Sequence, residues 1–155
     1  MREQAKPTIS IVIPALNEKD GIAQTINAIP KSELEQMGYE VQILVVDNGS
    51  HDGTGDLARK AGAGVLYEPR QGYGSAFKAG FANAKGDVIA TADADMTYPM
   101  VDIPKLVKVL EEENIDFITT NRYAFMEKGA MSSLHRLGNA ILSLTTRILF
   151  RIDLK

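Results

Sequence analysis

Short apolar runs rich in β-branched residues alternate along this chain with segments of helical periodicity, and the alternation limits the possible folds. The runs occupy residues 8–13, 41–46, 65–67, 88–92 and 117–120, each bounded by turn-forming residues, as is typical of buried strands. Between the first two runs, one helix is expected from Ile22 to Pro30. Strands joined by helices of this length form right-handed βαβ units. The sequence therefore predicts an α/β fold with a mostly parallel, Rossmann-like sheet flanked by helices.

The fourth apolar run ends in two carboxylates one residue apart, Asp93 and Asp95. The run predicts a buried, central strand that ends at Asp93, with Asp95 on the loop that follows. Open α/β sheets bind ligands at the carboxyl ends of their strands. Two neighbouring carboxylates repel each other unless a cation lies between them, and their oxygens suit a hard divalent cation. The pattern predicts a metal site; the alternative is a solvated loop that happens to carry two aspartates.

Three other loops follow predicted strands, at residues 14–18, 47–54 and 121–123. Parallel strands share a direction, so these loops are expected at the same edge of the sheet as the aspartate pair. Asp47 suits a nucleoside, because a carboxylate only accepts hydrogen bonds from ribose hydroxyls or a ring N–H. Its alternative role is to cap its own turn. The glycines at 72 and 74 could bring backbone N–H groups to a phosphate, but they follow the third strand, which argues against a dinucleotide fold.

Composition narrows the class of protein. The chain has 155 residues, enough for one domain with a real core, and its net charge of -3 argues against a nucleic-acid binder. The absence of cysteine excludes thiolate metal sites and a cysteine nucleophile, and two distant histidines argue against a zinc site. The N-terminus lacks the apolar core of a signal peptide, and no apolar run approaches about 20 residues. A soluble, cytoplasmic-type polypeptide is expected.

Residues 132–151 show the periodicity of one long amphipathic helix. We assign residues 1–131 to a catalytic core and 132–155 to this helix, within the same domain. The helix either packs on the domain with a solvated basic edge, or lies at an anionic membrane surface or a phosphate site. Its apolar positions are Leu134, Leu137, Ile141, Leu144 and Ile148.

Four motifs together resemble a known family. They are Pro-Ala-Leu-Asn-Glu at 14–18, Asp-Asn-Gly-Ser at 47–50, Gly-Tyr-Gly at 72–74 and Asp-Ala-Asp at 93–95. Their order and spacing resemble the GT-A family 2 glycosyltransferases, most of all the polyprenyl-phosphate sugar transferases of the dolichyl-phosphate mannose or glucose synthase type. The resemblance extends from residue 8 to the end of the chain and implies a GT-A fold.

The resemblance implies an inverting transfer of a hexose from a UDP- or GDP-sugar to an acceptor, with polyprenyl phosphate expected as the acceptor. Asp93 and Asp95 would hold Mg²⁺ or Mn²⁺, and Thr97 stands where the mannose synthases place a metal-binding glutamine. Arg122 would act in catalysis and, with Arg136, would hold the acceptor phosphate. The residues implied for the nucleotide-sugar pocket are Pro14, Leu16, Glu18, Val45, Asp47, Ala92, Asp93 and Ala94.

The chain departs from the family pattern at Asn48, where a second aspartate is usual, and matches the acceptor-side motif around Arg136 only in part. A phosphate acceptor is already ionised and needs no general base, and no later acidic residue lies in a recognisable catalytic motif. The resemblance therefore favours a lipid phosphate, with the protein peripheral at the cytoplasmic face of a membrane.

The sequence is also compatible with two other functions. The family continues beyond the point where this sequence ends, so the chain could be truncated and bind a nucleotide sugar without turnover. In that case we expect a dimer through the helix at 132–150, or a reoriented helix. A haloacid-dehalogenase-type phosphatase would use Asp93 as its nucleophile and Asp95 as acid and base.

Overall fold

The structure is a computed structural model that describes residues 6–120 and 133–150, although several side chains of the second range lie outside the description. A single-turn 3₁₀ helix at Met100–Asp102 leads into the fifth α-helix. The elements are β1 (Thr8–Ala15), α1 (Ile22–Asn27), α2 (Lys31–Gln36), β2 (Glu40–Asp47), α3 (Thr54–Lys60), β3 (Gly64–Tyr67), α4 (Tyr73–Asn83), β4 (Val88–Thr91), α5 (Ile103–Glu112) and α6 (Ser133–Phe150).

The four strands form one parallel sheet in the order β3-β2-β1-β4, which confirms the predicted α/β architecture. The ends of three strands are in register, because Ala15 pairs with Asp47 and Asp47 pairs with Tyr67. The last pair of β4 joins Thr91 to Val12, and the ladder continues with the Ala92 N–H donating to Val12 O at 3.2 Å. The loops that follow all four strands therefore meet at one edge.

The two faces of β1 contribute to two separate cores. Ile9, Ile11 and Ile13 are fully buried and belong to the larger cluster, which also contains residues of α1, α2 and α5. Val12 lies in a smaller cluster with Val46 and Ala76, beneath α4. Near-complete burial on both faces is expected of a central parallel strand with helices above and below it.

Two strand predictions were wrong. β4 is an edge strand and not a central one, since it pairs with β1 alone among the described residues, and Ile89 is 44% exposed. Residues 117–120 form no strand, and Phe117 is 78% exposed. β-branched and aromatic composition indicates that a segment suits a sheet, but such composition alone does not make a strand, because a strand forms only against a partner.

Two element boundaries also differ from the predictions. Pro14 lies inside β1 and is paired with Val46. Its nitrogen is on the side of β1 that faces β4, but beyond the last pair between those two strands. The N–H that proline lacks would therefore have no partner in the sheet. The single helix expected from Ile22 to Pro30 is instead α1, followed after Pro30 by a second short helix, α2. Only Leu34 of α2 is buried, and one apolar residue produces no periodic pattern.

The contacts divide the chain into two compact units, Met1–Asp116 and Phe117–Lys155. The assignment of residues 1–131 and 132–155 to one domain stays a prediction. Helix α6 confirms the helix predicted over 132–151. Within the described ranges, no helix combines the length and the apolar character that crossing a membrane requires. Five apolar side chains of α6 are more than half exposed: Ile141, Leu142, Leu144, Ile148 and Leu149.

Candidate functional site

The loops after β1 and β2 are joined by hydrogen bonds at the carboxyl edge of the sheet. Asn17 adopts a left-handed conformation, with φ of 57°, which asparagine tolerates better than most residues. The bonds run in both directions, so the two loops form one rigid wall. They are Asn17 N–H to Ser50 Oγ (3.0 Å), Glu18 N–H to Thr54 Oγ1 (2.9 Å), Lys19 N–H to Asp52 Oδ2 (3.1 Å) and His51 N–H to Asn17 Oδ1 (2.9 Å).

Asp47 ends β2 and is half-buried. Its Oδ1 accepts a hydrogen bond from the Ser50 N–H at 2.8 Å, within its own loop. Its Oδ2 packs against Gly55, and a Cβ on that glycine would lie 2.5 Å from this oxygen. The turn-capping role that the sequence left open is therefore present, and the contact with a nucleoside stays a prediction.

Asn48 is a structural residue whose importance the sequence reasoning missed. It is 4% exposed, and its Nδ2 donates to the carbonyl oxygens of Glu68 and Arg70, both at 2.8 Å. Its Oδ1 accepts the Gly72 N–H at 2.8 Å. A carboxylate accepts but does not donate, so the aspartate usual in the family could not make the two donor bonds that attach the β3–α4 loop to the end of β2.

Glu68 and Arg70 form an ion pair on the same loop, also missed at the sequence level. Glu68 Oε1 accepts from the Arg70 backbone N–H at 2.9 Å and from its Nε at 3.0 Å, and Oε2 accepts from Nη2 at 3.2 Å. These bonds hold the pKa of Glu68 below its usual value and raise the pKa of Arg70. The Glu68 side chain is nearly buried while that of Arg70 is 79% exposed, so a fixed guanidinium is presented to solvent.

Asp93 and Asp95 both lie on the loop that follows β4. Asp93 is half-buried, and its Oδ1 accepts a hydrogen bond from the Tyr73 hydroxyl at 2.8 Å. Asp95 is exposed, and its Oδ1 accepts the Thr97 N–H at 2.9 Å in a turn where Met96 has a φ of 64°. Each of the two carboxylates thus accepts a hydrogen bond on a single loop.

The start of α1 holds this loop in place. The Thr25 hydroxyl donates to Ala94 O at 3.0 Å. Gly21 packs so closely that a Cβ there would lie 2.7 Å from Ala94 O and 3.3 Å from the Asp95 Cα. Because the nearest atoms are backbone, only glycine fits at this position without moving the loop.

Four carboxylates share the electrostatic environment of this edge. The pKa of Glu18 is raised, first by partial burial and then by the negative charges of Asp95, Asp52 and Asp93. An excess of negative charge that raises a neighbouring pKa is a field that favours a cation. The described residues contain no group of three or more histidine, aspartate or glutamate side chains that could hold a metal ion.

This donor set fits Mg²⁺ or Mn²⁺ in one particular way. Mg²⁺ is usually bound through one or two carboxylates together with substrate phosphates and water, and not by a cage of protein ligands. Asp93 and Asp95 supply two hard oxygen donors within a negative field. The site therefore suits a cation that binds together with a diphosphate.

The other predicted site residues are placed as follows. Leu16 is 43% exposed on the loop after β1, while Pro14, Ala92 and Ala94 are buried. Val45 is fully buried in the larger core, so its predicted position beside a base is not favoured by this packing. Arg122 and the side chain of Arg136 lie outside the described residues, and their roles stay predictions.

Comparison with known proteins agrees with the geometry. The sequence model of the family described as Glycosyl transferase family 2 matches residues 10–152. The chain is 37% identical over 139 residues to the low-salt glycan biosynthesis hexosyltransferase Agl6 of Haloferax volcanii, covering 88% of this chain and 33% of that protein. It is 36% identical over 107 residues to the undecaprenyl-phosphate 4-deoxy-4-formamido-L-arabinose transferase of Aeromonas hydrophila, covering 64% and 32%.

A solved structure shows the same fold. Glucosyl-3-phosphoglycerate synthase from Mycobacterium tuberculosis, crystallised with Mn²⁺, UDP and glucosyl-3-phosphoglycerate, matches with a TM-score of 0.58 and 33% identity, over 67% of this chain and 39% of that one. This likeness confirms the predicted GT-A fold. The chain spans about a third of the two curated relatives named above. The family match decides against the phosphatase alternative: the chain belongs to glycosyl transferase family 2.

Proposed function

We propose that this chain carries the donor-binding part of an inverting hexosyltransferase that uses a nucleotide-diphosphate sugar. The observation that supports this most is the presentation of Asp93 and Asp95 on one loop that α1 and α4 hold in place. The related mycobacterial synthase has been crystallised with UDP-glucose and Mn²⁺, and with UDP and Mg²⁺. UDP or GDP is accordingly the expected leaving group here.

The mechanism follows from charge. A divalent cation held by Asp93 and Asp95 would neutralise the diphosphate as it leaves. Asp47, two strands away from β4 along the same edge, would accept hydrogen bonds from the nucleoside. Hydrogen bonds between the loops after β1 and β2 order the turn that Asp47 caps. The contacts of Thr25 and Gly21 with Ala94 order the loop that carries the two aspartates.

The proposed acceptor is a polyprenyl phosphate at the cytoplasmic face of a membrane. Relatives include undecaprenyl-phosphate sugar transferases, and a phosphate oxygen attacks the anomeric carbon without needing a general base. The exposed apolar side chains of α6 suit a helix that contacts lipid, and Arg122 and Arg136 would hold the phosphate. A small phosphorylated acid is the second candidate, since the mycobacterial synthase was crystallised with phosphoglyceric acid.

Donor binding is tested by thermal stabilisation. UDP-, GDP- and dTDP-hexoses are screened with Mn²⁺ or with EDTA, beside the variant Asp95→Ala. We expect stabilisation by a UDP- or GDP-hexose only when the metal is present, and none in the variant, which should keep its fold because Asp95 is exposed. The proposal is wrong if no donor stabilises the wild type with Mn²⁺.

Transfer is tested with a labelled donor and two acceptors, undecaprenyl phosphate in vesicles and free phosphoglycerate. Repeated turnover on the lipid supports the proposed acceptor, and turnover on phosphoglycerate supports the second candidate. Donor binding without transfer to either would leave a nucleotide-sugar-binding domain as the function of these residues.

A further inference from the structure

Tyr73 links the start of α4 to the metal-binding loop. Its hydroxyl donates to Asp93 Oδ1 at 2.8 Å across 20 positions of sequence. From this contact we infer that Tyr73 is a positioning residue, which holds the Asp93 carboxylate in the orientation that receives a divalent cation with its diphosphate. The inference deepens the proposed function and rests on it.

Two neighbours in the sequence, Gly72 and Phe77, restrict the position of the Tyr73 ring. It follows Gly72, whose φ of 131° is a conformation that side chains rarely adopt and whose N–H donates to Asn48 Oδ1 at 2.8 Å. One turn later, Phe77 packs against the ring at 4.7 Å between centroids and at 83° between planes, the edge-to-face geometry that aromatic pairs prefer. The hydroxyl is therefore directed at the β4 loop although 62% of the side chain is exposed.

The backbone around Asp93 is held on both sides. The Ala92 N–H donates to Val12 O at 3.2 Å, and Ala94 O accepts from the Thr25 hydroxyl at 3.0 Å. With the backbone fixed, the freedom left to Asp93 is rotation of its side chain. A hydrogen bond to Oδ1 restricts that rotation.

The chemistry of a phenol suits this task. A lysine or arginine in the same place would neutralise the carboxylate and compete with a cation for it. The tyrosine hydroxyl donates one hydrogen bond and brings no charge. The bond therefore sets the orientation of the Asp93 carboxylate without placing a positive charge beside it.

The test compares Tyr73→Phe with Tyr67→Phe, a matched control whose tyrosine is 61% exposed at the end of β3. Calorimetry measures the affinity of UDP with Mn²⁺, of UDP with EDTA, and of uridine. Losing an exposed hydrogen bond to a charged group should weaken Mn²⁺-dependent UDP binding by roughly three- to tenfold. Binding of UDP in EDTA and of uridine should not change, and Tyr67→Phe should behave as wild type.

Unchanged or tighter Mn²⁺-dependent binding by Tyr73→Phe would overturn the inference. An equal loss for uridine, or in EDTA, would also overturn it, because it would show a general disturbance of the site. If the wild type binds UDP equally well with Mn²⁺ and with EDTA, the proposed function has failed, and the inference falls with it. If the wild type depends on metal and Tyr73→Phe matches it, only the inference fails.

Discussion

The contact between Gly21 and the metal-binding loop leads to a prediction for Gly21→Ala. The new Cβ would lie 2.7 Å from Ala94 O, whereas ordinary van der Waals contact begins at 3.4 Å. The Cβ and the carbonyl oxygen must therefore move apart by about 0.7 Å, although protein interiors are close-packed and leave little room for such a shift. Gly21 has φ of -105° and ψ of -33°, which alanine adopts freely, so the effect is steric.

The cost of Gly21→Ala follows from this geometry. Overpacking of a close contact destabilises a protein by about 1–3 kcal/mol, which for a unit of this size lowers Tm by about 4–12 °C. Moving Ala94 also moves Asp95, so Mn²⁺-dependent UDP affinity should fall at least about tenfold, a loss of about 1.4 kcal/mol. Scanning calorimetry measures the first effect and titration calorimetry the second.

Gly64→Ala is the matched control for this variant. Gly64 begins β3 at the opposite edge of the sheet, and a Cβ there would meet Ile43 O at 3.5 Å, an ordinary contact. We expect Gly64→Ala to match the wild type in binding and to equal or slightly exceed it in stability. If Gly21→Ala behaved like Gly64→Ala in both measurements, the account of how α1 supports the site would be refuted.

Three further substitutions probe other contacts. Gly55→Ala should displace Asp47 Oδ2, which would lie 2.5 Å from the new Cβ, and should weaken UDP binding roughly tenfold without changing the affinity for pyrophosphate. If titration calorimetry showed equal losses of affinity for the two ligands, Asp47 would have only its turn-capping role. Asn48→Asp removes two donor bonds and should lower the free energy of unfolding by about 2–3 kcal/mol in urea at pH 7, and an unchanged value would contradict the assigned donors. The pKa of Glu18 is raised, so the ionised carboxylate destabilises the fold at any pH above that pKa. Without metal, Glu18→Gln should therefore be more stable than wild type at pH 7, and this difference in stability should vanish as the pH falls below the usual pKa of 4.5. A difference in stability that grows in acid would contradict this.

Much of the fold could be predicted from local sequence. The β-branched runs located β1 to β4, and the turn residues after them located the loops of the site, because both signals reside in neighbouring residues. Strand order is set by contacts between distant segments, so the edge position of β4 had no local signal. The absence of a strand at 117–120 has the same cause, since strand formation depends on a partner as well as on propensity.

The candidate site was predicted by residue type but not by arrangement. Asp93 and Asp95 could be identified because paired carboxylates after a strand suggest a metal. The bond from Tyr73 to Asp93 and the attachments made by Asn48 span 20 or more positions, and no periodicity reveals such pairs. Asn48 is an example. In the sequence it stands out only because the resembled family usually has an aspartate there, whereas in the structure its amide group donates the hydrogen bonds that hold the β3–α4 loop.

The most direct test of the central claim is electron paramagnetic resonance of Mn²⁺ in the presence of UDP. The signal of free Mn²⁺ is recorded as wild type or Asp95→Asn is added, since the variant keeps the shape of the side chain and removes its charge. We predict that wild type with UDP depletes the free signal, that omission of UDP weakens this depletion, and that Asp95→Asn largely abolishes it. Equal depletion by wild type and Asp95→Asn would contradict the assignment of a metal–diphosphate site to the loop after β4.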